Sequence, residues 1–395
     1  MMCLAKASDT INILLFMTLE ELTTLDKLNE AFYECSRISK WKESTQRYKS
    51  NLLLNNIQLQ EDVRSGNYKV SPTTNFTLNE RGKIRQINAP AIRDRVIQKV
   101  LCKEILIPQL SKSLIYDNYA SLKGRGTSFA RKRFEILFSR FLRKHGTDGY
   151  ILQVDIKKYF DSIDHEVLKT MVHERINEPK EVMDLIDYVI DTSSKTDKGL
   201  NLGAEAPQIF AIYYLSRLDN YIKSVKGIKY YGRYMDDMFV FSNSKQELYQ
   251  TLSDIQTQLE NVKLEVNEKK THIIKLSHGF IFMQIKYSLN GHKIIKRPTR
   301  CKIIRERRRL KKYKRQYDTG LMKEFDIYNS YKSWRNNVLK DCNCCSKSIE
   351  EMDKLYNRLF PKHDIYMKYK REDIIRQTYK ELSEDNMLDI LNLEF

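Results

Sequence analysis

The sequence predicts an α+β fold in which an antiparallel sheet is flanked by helices, with helical segments at both ends of the chain. Three observations predict it. Ile228 to Tyr234 and Met238 to Phe241 are runs of strand formers on either side of Met235-Asp236-Asp237, the pattern of a hairpin with an acidic tip. Tyr150-Ile151-Leu152-Gln153-Val154-Asp155-Ile156 is an apolar strand that reaches an aspartate. Around these runs, apolar residues recur at three- and four-residue spacing, the helical period. At 395 residues the chain is long enough for two or three subdomains with sizeable cores.

Taken in order, Leu22 through Cys35 and Lys42 through Leu59 read as helices. Between Lys69 and Pro90 the pattern changes to a hairpin: Asn75 to Leu78, a turn at Asn79-Glu80-Arg81-Gly82, then Lys83 to Ile87. Helix returns at Arg93 and runs towards Ile107, where Pro108 is expected to stop it. Strands follow near 150–155, 229–241 and 262–274, with helices between them at 164–191 and 206–224. From Pro298 the chain is helical and basic, then mixed in charge. No internal repeat or low-complexity linker interrupts it.

The chemistry sits at the acidic tip. Asp and Glu oxygens are natural ligands of Mg²⁺, and a two-metal site is the usual engine of phosphoryl transfer on polynucleotides. Asp-Asp alone is also an ordinary turn pair. Asp155 strengthens the metal reading, because a buried strand ending there could place its carboxylate beside Asp236, sharing ions roughly 3.5–4 Å apart. A helix N-cap is the other use for Asp155, but Asp164 is better placed to cap the helix that follows.

The order Asp155-x-x-x-x-Phe160, Gly203-x-x-x-Pro207-Gln208, Tyr234-Met235-Asp236-Asp237 and Asn267-Glu268-Lys269-Lys270-Thr271 resembles the palm of a reverse transcriptase. More narrowly it is similar to the bacterial, non-retroviral kind: group II intron, retron, diversity-generating and phage-defence-associated enzymes. The likeness runs from about Trp41 to about Arg315. It implies a right-hand polymerase: an N-terminal helical extension (1–60), fingers (61–148), a palm (149–295) and a basic helical thumb with the C-terminal region (296–395). It also implies RNA-directed DNA synthesis with two Mg²⁺ ions, Mn²⁺ being an alternative, and with an RNA template, a DNA product and dNTPs as partners. An oligomer or an accessory protein would fit as well.

Site residues carry over position by position. Asp155, Asp236 and Asp237 are the expected catalytic metal ligands, with the backbone carbonyl of Ile156 as a further one. Lys270 matches the lysine that protonates or stabilises the leaving pyrophosphate. Phe160 matches the aromatic ring under the incoming sugar, which excludes a ribose 2′-hydroxyl by bulk; core packing beside Tyr159 is its plainer use. Lys83 and Arg85 match cations on the incoming triphosphate, although Lys-x-Arg also describes a solvated strand face. Leu202 and Gln208 complete the expected nucleotide site. Leu202 stands where many relatives carry a glutamine, and an aliphatic residue there also occurs in the diversity-generating enzymes, so nucleotide selection is expected to be relaxed or built differently. Arg93, Arg95, Lys123 and Arg125 are expected to touch nucleic acid, and Asp94 could pair with either of its arginine neighbours. Gly279 to Met283 resembles the primer grip.

Charge agrees with a polyanion partner: 69 Lys and Arg against 51 Asp and Glu give a net charge of +18. The excess concentrates between Lys296 and Arg315, where Arg305, Arg308, Arg309 and Lys312 are the expected duplex contacts and only Glu306 opposes them. The apolar run Ile11 to Met17 is too short to span a bilayer and lacks the features of a signal peptide, so a cytoplasmic protein with reduced cysteines is expected. Cys342-Asn343-Cys344-Cys345 lacks a second pair at zinc-finger spacing and reads as free thiols on a loop, with His363 unassigned. The leading function is copying of a dedicated RNA into cDNA in bacterial antiphage defence. Diversity-generating synthesis, template-independent or protein-primed synthesis, and an idle RNA-binding scaffold are the alternatives.

Overall fold

The computed structural model describes residues 16–80, 83–201 and 203–361. The chain divides into two compact units, one gathering the described residues of Met1–His145 and Gly149–Ile273, the other those of Gly146–Asp148 and Ile274–Phe395. The architecture is α+β with antiparallel sheets flanked by helices.

The first unit opens with α1 (Leu19–Leu22), α2 (Leu25–Ser36), α3 (Glu43–Ser50) and α4 (Leu52–Arg64). The helix expected over residues 22–35 thus begins at Leu25, and the one expected over residues 42–59 is broken at Asn51. Thr23 caps the end of α1, its N–H donating to the Leu19 carbonyl at 3.0 Å and its hydroxyl to the same oxygen at 2.6 Å. Asn51 closes α3 and opens α4. Strands β1 (Thr74–Glu80) and β2 (Lys83–Ala89) form an antiparallel hairpin with Leu78 opposite Arg85. Helix α5 (Ile92–Leu101) then continues through a π turn, Cys102–Leu106, into α6 (Ile107–Leu110). Pro108 therefore does not stop the helix as expected. Ile107 donates to the Cys102 carbonyl across the wider π spacing, and that loosened turn accommodates a ring with no N–H.

Next come α7 (Thr127–His145), β3 (Tyr150–Val154), α8 (Tyr159–Ser162), α9 (His165–His173) and α10 (Lys180–Asp191). Asp164 caps α9, accepting from the Val167 N–H at 3.2 Å. Helix α11 (Glu205–Tyr214) is buried on nearly every side and leads through α12 (Ser216–Asn220) to β4 (Tyr231–Tyr234), β5 (Asp237–Ser242), α13 (Lys245–Glu260) and β6 (His272–Lys275). The sheet order is β4-β5-β3-β6, with β5 antiparallel to both of its neighbours. The strand expected across 262–274 is shorter. Val266 makes only an isolated bridge to Ile156, and Glu268–Lys270 form a 3-10 turn before β6 begins. That turn brings Asn267 and Lys270 onto Asp155.

Alternation along β5 fixes its register. Phe239 and Phe241 pack on Phe134 and Phe138 of α7, with ring centroids 4.8 Å (Phe134–Phe239) and 4.9 Å (Phe138–Phe241) apart. Met238 and Val240 face the other way, into the cluster containing Ile209, Phe210 and Ile212 of α11. Each buried phenylalanine contributes about 1.5–3 kcal/mol, and a one-residue slip would reverse all four side chains and misplace the acidic tip. The outer edge of β4 is covered by residues 117–119: Tyr119 donates to the Arg233 carbonyl at 2.9 Å and Arg233 to that of Asp117 at 3.0 Å. Gly232 permits this approach, since a Cβ there would lie 2.2 Å from the Tyr119 hydroxyl.

The second unit holds an antiparallel sheet, β7 (Phe280–Phe282), β8 (Ile285–Asn290) and β9 (Lys293–Pro298), and three helices, α14 (Arg300–Asp318), α15 (Glu324–Asp341) and α16 (Ser346–Leu359). Leu310, Ile327, Tyr331, Met352 and Tyr356 form its core. The Cys342–Cys345 segment is the loop between α15 and α16. Burial pushes the Cys342 thiol up to about 11, so it stays protonated. Among the described residues no group of three His, Cys, Asp or Glu is set to hold a metal ion, and His363 lies outside them.

Candidate active site

The tip of the β4–β5 hairpin is a two-residue loop. Tyr234 pairs with Asp237, leaving Met235 and Asp236 to turn the chain. Met235 has φ 54°, a conformation that costs a non-glycine residue energy and persists only where the surroundings enforce it. Arg233 supplies that enforcement. Its side chain is fully buried, and it donates to the Met235 carbonyl at 2.9 Å and to the Ile212 carbonyl at 2.9 Å. The same guanidinium grips Asp219 of α12 in a fork, Nε at 2.8 Å and Nη2 at 2.5 Å, and Tyr231 donates its hydroxyl to that carboxylate. Neither Arg233 nor Asp219 is exposed at all. Sequence reasoning missed this strut; an arginine between aromatic strand residues, directly before an acidic tip, was the available signal.

Asp155 follows β3. Its carbonyl accepts from the Asn267 N–H at 2.8 Å, and the Lys157 N–H donates to Glu265 at 2.9 Å. Both bonds flanking the Ile156–Val266 bridge thus belong to the neighbours of Ile156, so its own N–H and carbonyl point the other way. The Asp155 carboxylate accepts from Asn267 Nδ2 at 2.8 Å, and Lys270 Nζ lies 2.8 Å from each of its oxygens. That bond, together with the nearby charges of Asp236 and Asp237, holds Lys270 above the usual lysine range, while partial burial opposes it. The Asp236 carboxyl is also pushed up, first by burial and then by the negative charge of Asp155; its own backbone hydrogen bond, Lys270 and Arg85 pull the other way. Asp237, the first residue of β5, is exposed. Two carboxylates therefore converge under one ammonium, with the third at their margin.

Other expected site residues vary in how they are placed. Phe160, on α8, is half-buried and edge-on to Tyr159 with ring centroids 5.6 Å apart, and its carbonyl accepts from Leu200 at 2.8 Å. Arg85 is exposed on β2 and acts electrostatically on Asp236. Lys83 begins β2, but its side chain lies outside the described residues, as does all of Leu202. Gln208 accepts from Ser121 at 3.2 Å and lines a cavity of about 410 Å³ with Arg95, Gln98, Lys99 and Gly203. Arg93 pairs with Asp62 and stacks on Tyr68 at 5.2 Å, and Arg95 donates to the Cys35 carbonyl. Both therefore have partners within the protein. Asp94 pairs with neither of them: it accepts from the Tyr68 hydroxyl at 2.8 Å and the Ser71 N–H at 3.0 Å. Lys123 is exposed, whereas Arg125 braces its loop by donating to the Asn118 carbonyl at 2.6 Å.

In the second unit, Arg309 is tied to the buried Glu306 at 2.6 Å. Arg305, Arg308 and Lys312 are exposed and form no ion pair among the described residues, and at 3.6 residues per turn they share one face of α14 with Arg300, Lys311 and Arg315. Replacing Arg305, Arg308 and Lys312 with alanine is expected to lower the salt slope of duplex binding by about 2–3, since each phosphate contact adds about 0.9. Titrating binding against salt concentration checks this, and an unaltered slope would place the duplex contacts on another surface.

Residues 72–302 match the family model described as reverse transcriptase (RNA-dependent DNA polymerase). The chain is similar to Protein YkfC of Escherichia coli (strain K12), 22% identical over 283 residues, covering 61% of this chain and 71% of that protein. Among solved structures it is similar to apo telomerase from Candida tropicalis, at TM-score 0.42 and 15% identity, covering 58% of this chain and 49% of the other. It is also similar to telomerase from Candida albicans in complex with a fragment of telomeric RNA, at TM-score 0.45 and 11% identity, covering 76% and 64%. The chain thus spans between about half and two-thirds of those telomerase chains.

Proposed function

The chain belongs to the reverse transcriptase (RNA-dependent DNA polymerase) family, and from that premise we propose that it copies a dedicated RNA into DNA at the Asp155–Asp236 site. The observation that carries this reading is the convergence of Asp155 and Asp236 from separate strands, with the Lys270 ammonium on Asp155. The Lys270 ammonium on Asp155 supports a cation beside these acids, and the donors are all oxygen, which suits Mg²⁺, with Mn²⁺ as the alternative. Asp155, Asp236 and the Ile156 carbonyl would hold the ions, and Asp237 would add charge. Two such ions supply activation of a primer hydroxyl and neutralisation of a leaving pyrophosphate. Lys270 stays protonated beside the acids and can donate its proton to that leaving group. On the sequence resemblance we assign Lys83 and Arg85 to the incoming triphosphate and Gln208 to the nucleotide; the electrostatic pull of Arg85 on Asp236 supports the Arg85 assignment.

We assign residues 61–148 to fingers, 149–295 to palm and the chain from 296 onwards to the thumb and C-terminal region, with α14 against the duplex backbone. The biological role we infer is bacterial antiphage defence in the cytoplasm, on the sequence resemblance. A neighbouring repeat pair and a small basic accessory protein would instead favour a diversity-generating role. The polymerase reading is tested by supplying purified protein with Mg²⁺, dNTPs and a primed RNA. Extension is expected, whereas RNA binding without incorporation would make the chain a scaffold. Incorporation of a single dNTP type without template would point to template-independent synthesis. Phe160→Ala should admit ribonucleotides, raising their incorporation relative to dNTPs about tenfold or more. Unchanged sugar discrimination would make Phe160 a core residue.

A further inference from the structure

One face of α7 has no part in the site described above. Phe134, Phe138 and Phe141 bury one side of this helix against β5. The opposite side carries Lys132, Arg140, Arg143 and Lys144, all exposed and without a carboxylate partner among the described residues. At 100° per residue these four fall within about 120° of arc, and Lys132 to Arg143 spans about 16 Å along the axis. A merely solvated helix face mixes its signs, and this one does not.

An aromatic ring stands at the N-terminal end of the same helix. Tyr116 is 61% exposed and packs edge-on to Phe129. The Arg133 guanidinium lies 4.6 Å from its centroid and that of Arg125 5.7 Å. Both cations are anchored: Arg133 by Asp117 at 2.8 Å, Arg125 by the Asn118 carbonyl. The ring is therefore preorganised. A positive track with a fixed aromatic platform is the arrangement that binds single strands, because a base can stack only when it is free of its own duplex.

We propose that Tyr116 and the basic face of α7 bind a single-stranded stretch of RNA, with one base on the Tyr116 ring and the backbone along Lys132, Arg140 and Arg143. The choice of RNA over DNA rests on the RNA-templated reading above; the stacking and charge stand independently of it. The test uses the full chain in EDTA without dNTPs, so that binding is read apart from polymerisation. Anisotropy of labelled single-stranded RNA, single-stranded DNA and RNA duplex is followed across a salt series. For Lys132→Glu/Arg140→Glu/Arg143→Glu, single-stranded RNA affinity at low salt should fall at least about tenfold, and the salt slope by about 2. Tyr116→Ala should weaken the same RNA about tenfold with the slope unchanged and duplex binding intact. An unaltered RNA affinity in both variants overturns the proposal. So does equal loss of duplex and single-strand binding in the triple variant with Tyr116→Ala silent, and so does a larger loss on DNA than on RNA. Thermal melting of each variant guards against misfolding, and Lys132→Gln/Arg140→Gln/Arg143→Gln provides a milder second set. Failure here with primer extension intact would sink this surface alone; loss of extension with RNA binding intact would sink the polymerase reading alone.

Discussion

Asp236→Asn is expected to abolish deoxynucleotide incorporation while raising the melting temperature of the cation-free protein. Loss of a ligand removes the several kcal/mol of charge stabilisation that an ion supplies, a fall on the order of 10³-fold or more. The gain in stability has a separate cause. Burial, and then the charge of Asp155, holds the Asp236 carboxyl above its ordinary value in the folded chain. Its ionisation therefore opposes folding at any pH above that raised value, and the penalty fades as pH falls through the carboxylate range. An uncharged isostere removes the penalty, so the melting temperature should rise at neutral pH, by a few degrees. The gain should shrink on acidification. Adding Mg²⁺ should raise the melting temperature of the parent chain and change that of Asp236→Asn much less. Full activity in the variant would remove the metal assignment; a lower melting temperature would mean that Asp236 is a structural anchor.

The second large effect concerns Arg233 and Asp219. Either Arg233→Met or Asp219→Leu alone strands a fully buried charge and should cost about 3–5 kcal/mol. The double variant removes both charges and should recover most of that loss. Activity should not recover with it, because the Met235 carbonyl then lacks its donor and the φ 54° turn beneath Asp236 its brace. Misplacement of a catalytic carboxylate by about 1 Å costs on the order of 10²-fold. Polymerase rate and thermal melting, measured together on the three variants, decide the matter. If rate and stability return together, the pair is structural only; if stability alone returns, Arg233 is a positioning residue.

Local chemistry that rests on neighbours in sequence was legible. The strand–acid–strand tip became β4, a two-residue loop and β5, and Asp164 capped its helix, because hydrophobic alternation and capping are set within a few residues. Where the backbone leaves the regular helical period, or distant groups intervene, local reading failed. Pro108 sits inside a continuing helix because a π turn absorbs its missing donor. The strand expected over 262–274 gave way to a turn that brings Asn267 and Lys270 to Asp155, a contact made across more than a hundred residues.

The sequence by itself determined the family, the sheet-and-helix class and which acids stand at strand ends, since period, turn chemistry and motif order are properties of the chain. Only the tertiary structure decided how those acids are held. A guanidinium between Tyr231 and Tyr234 could equally have faced water. It is buried because Asp219, fourteen residues earlier, meets it on the covered side of β4, and a charge can leave water only where its counter-charge is already waiting.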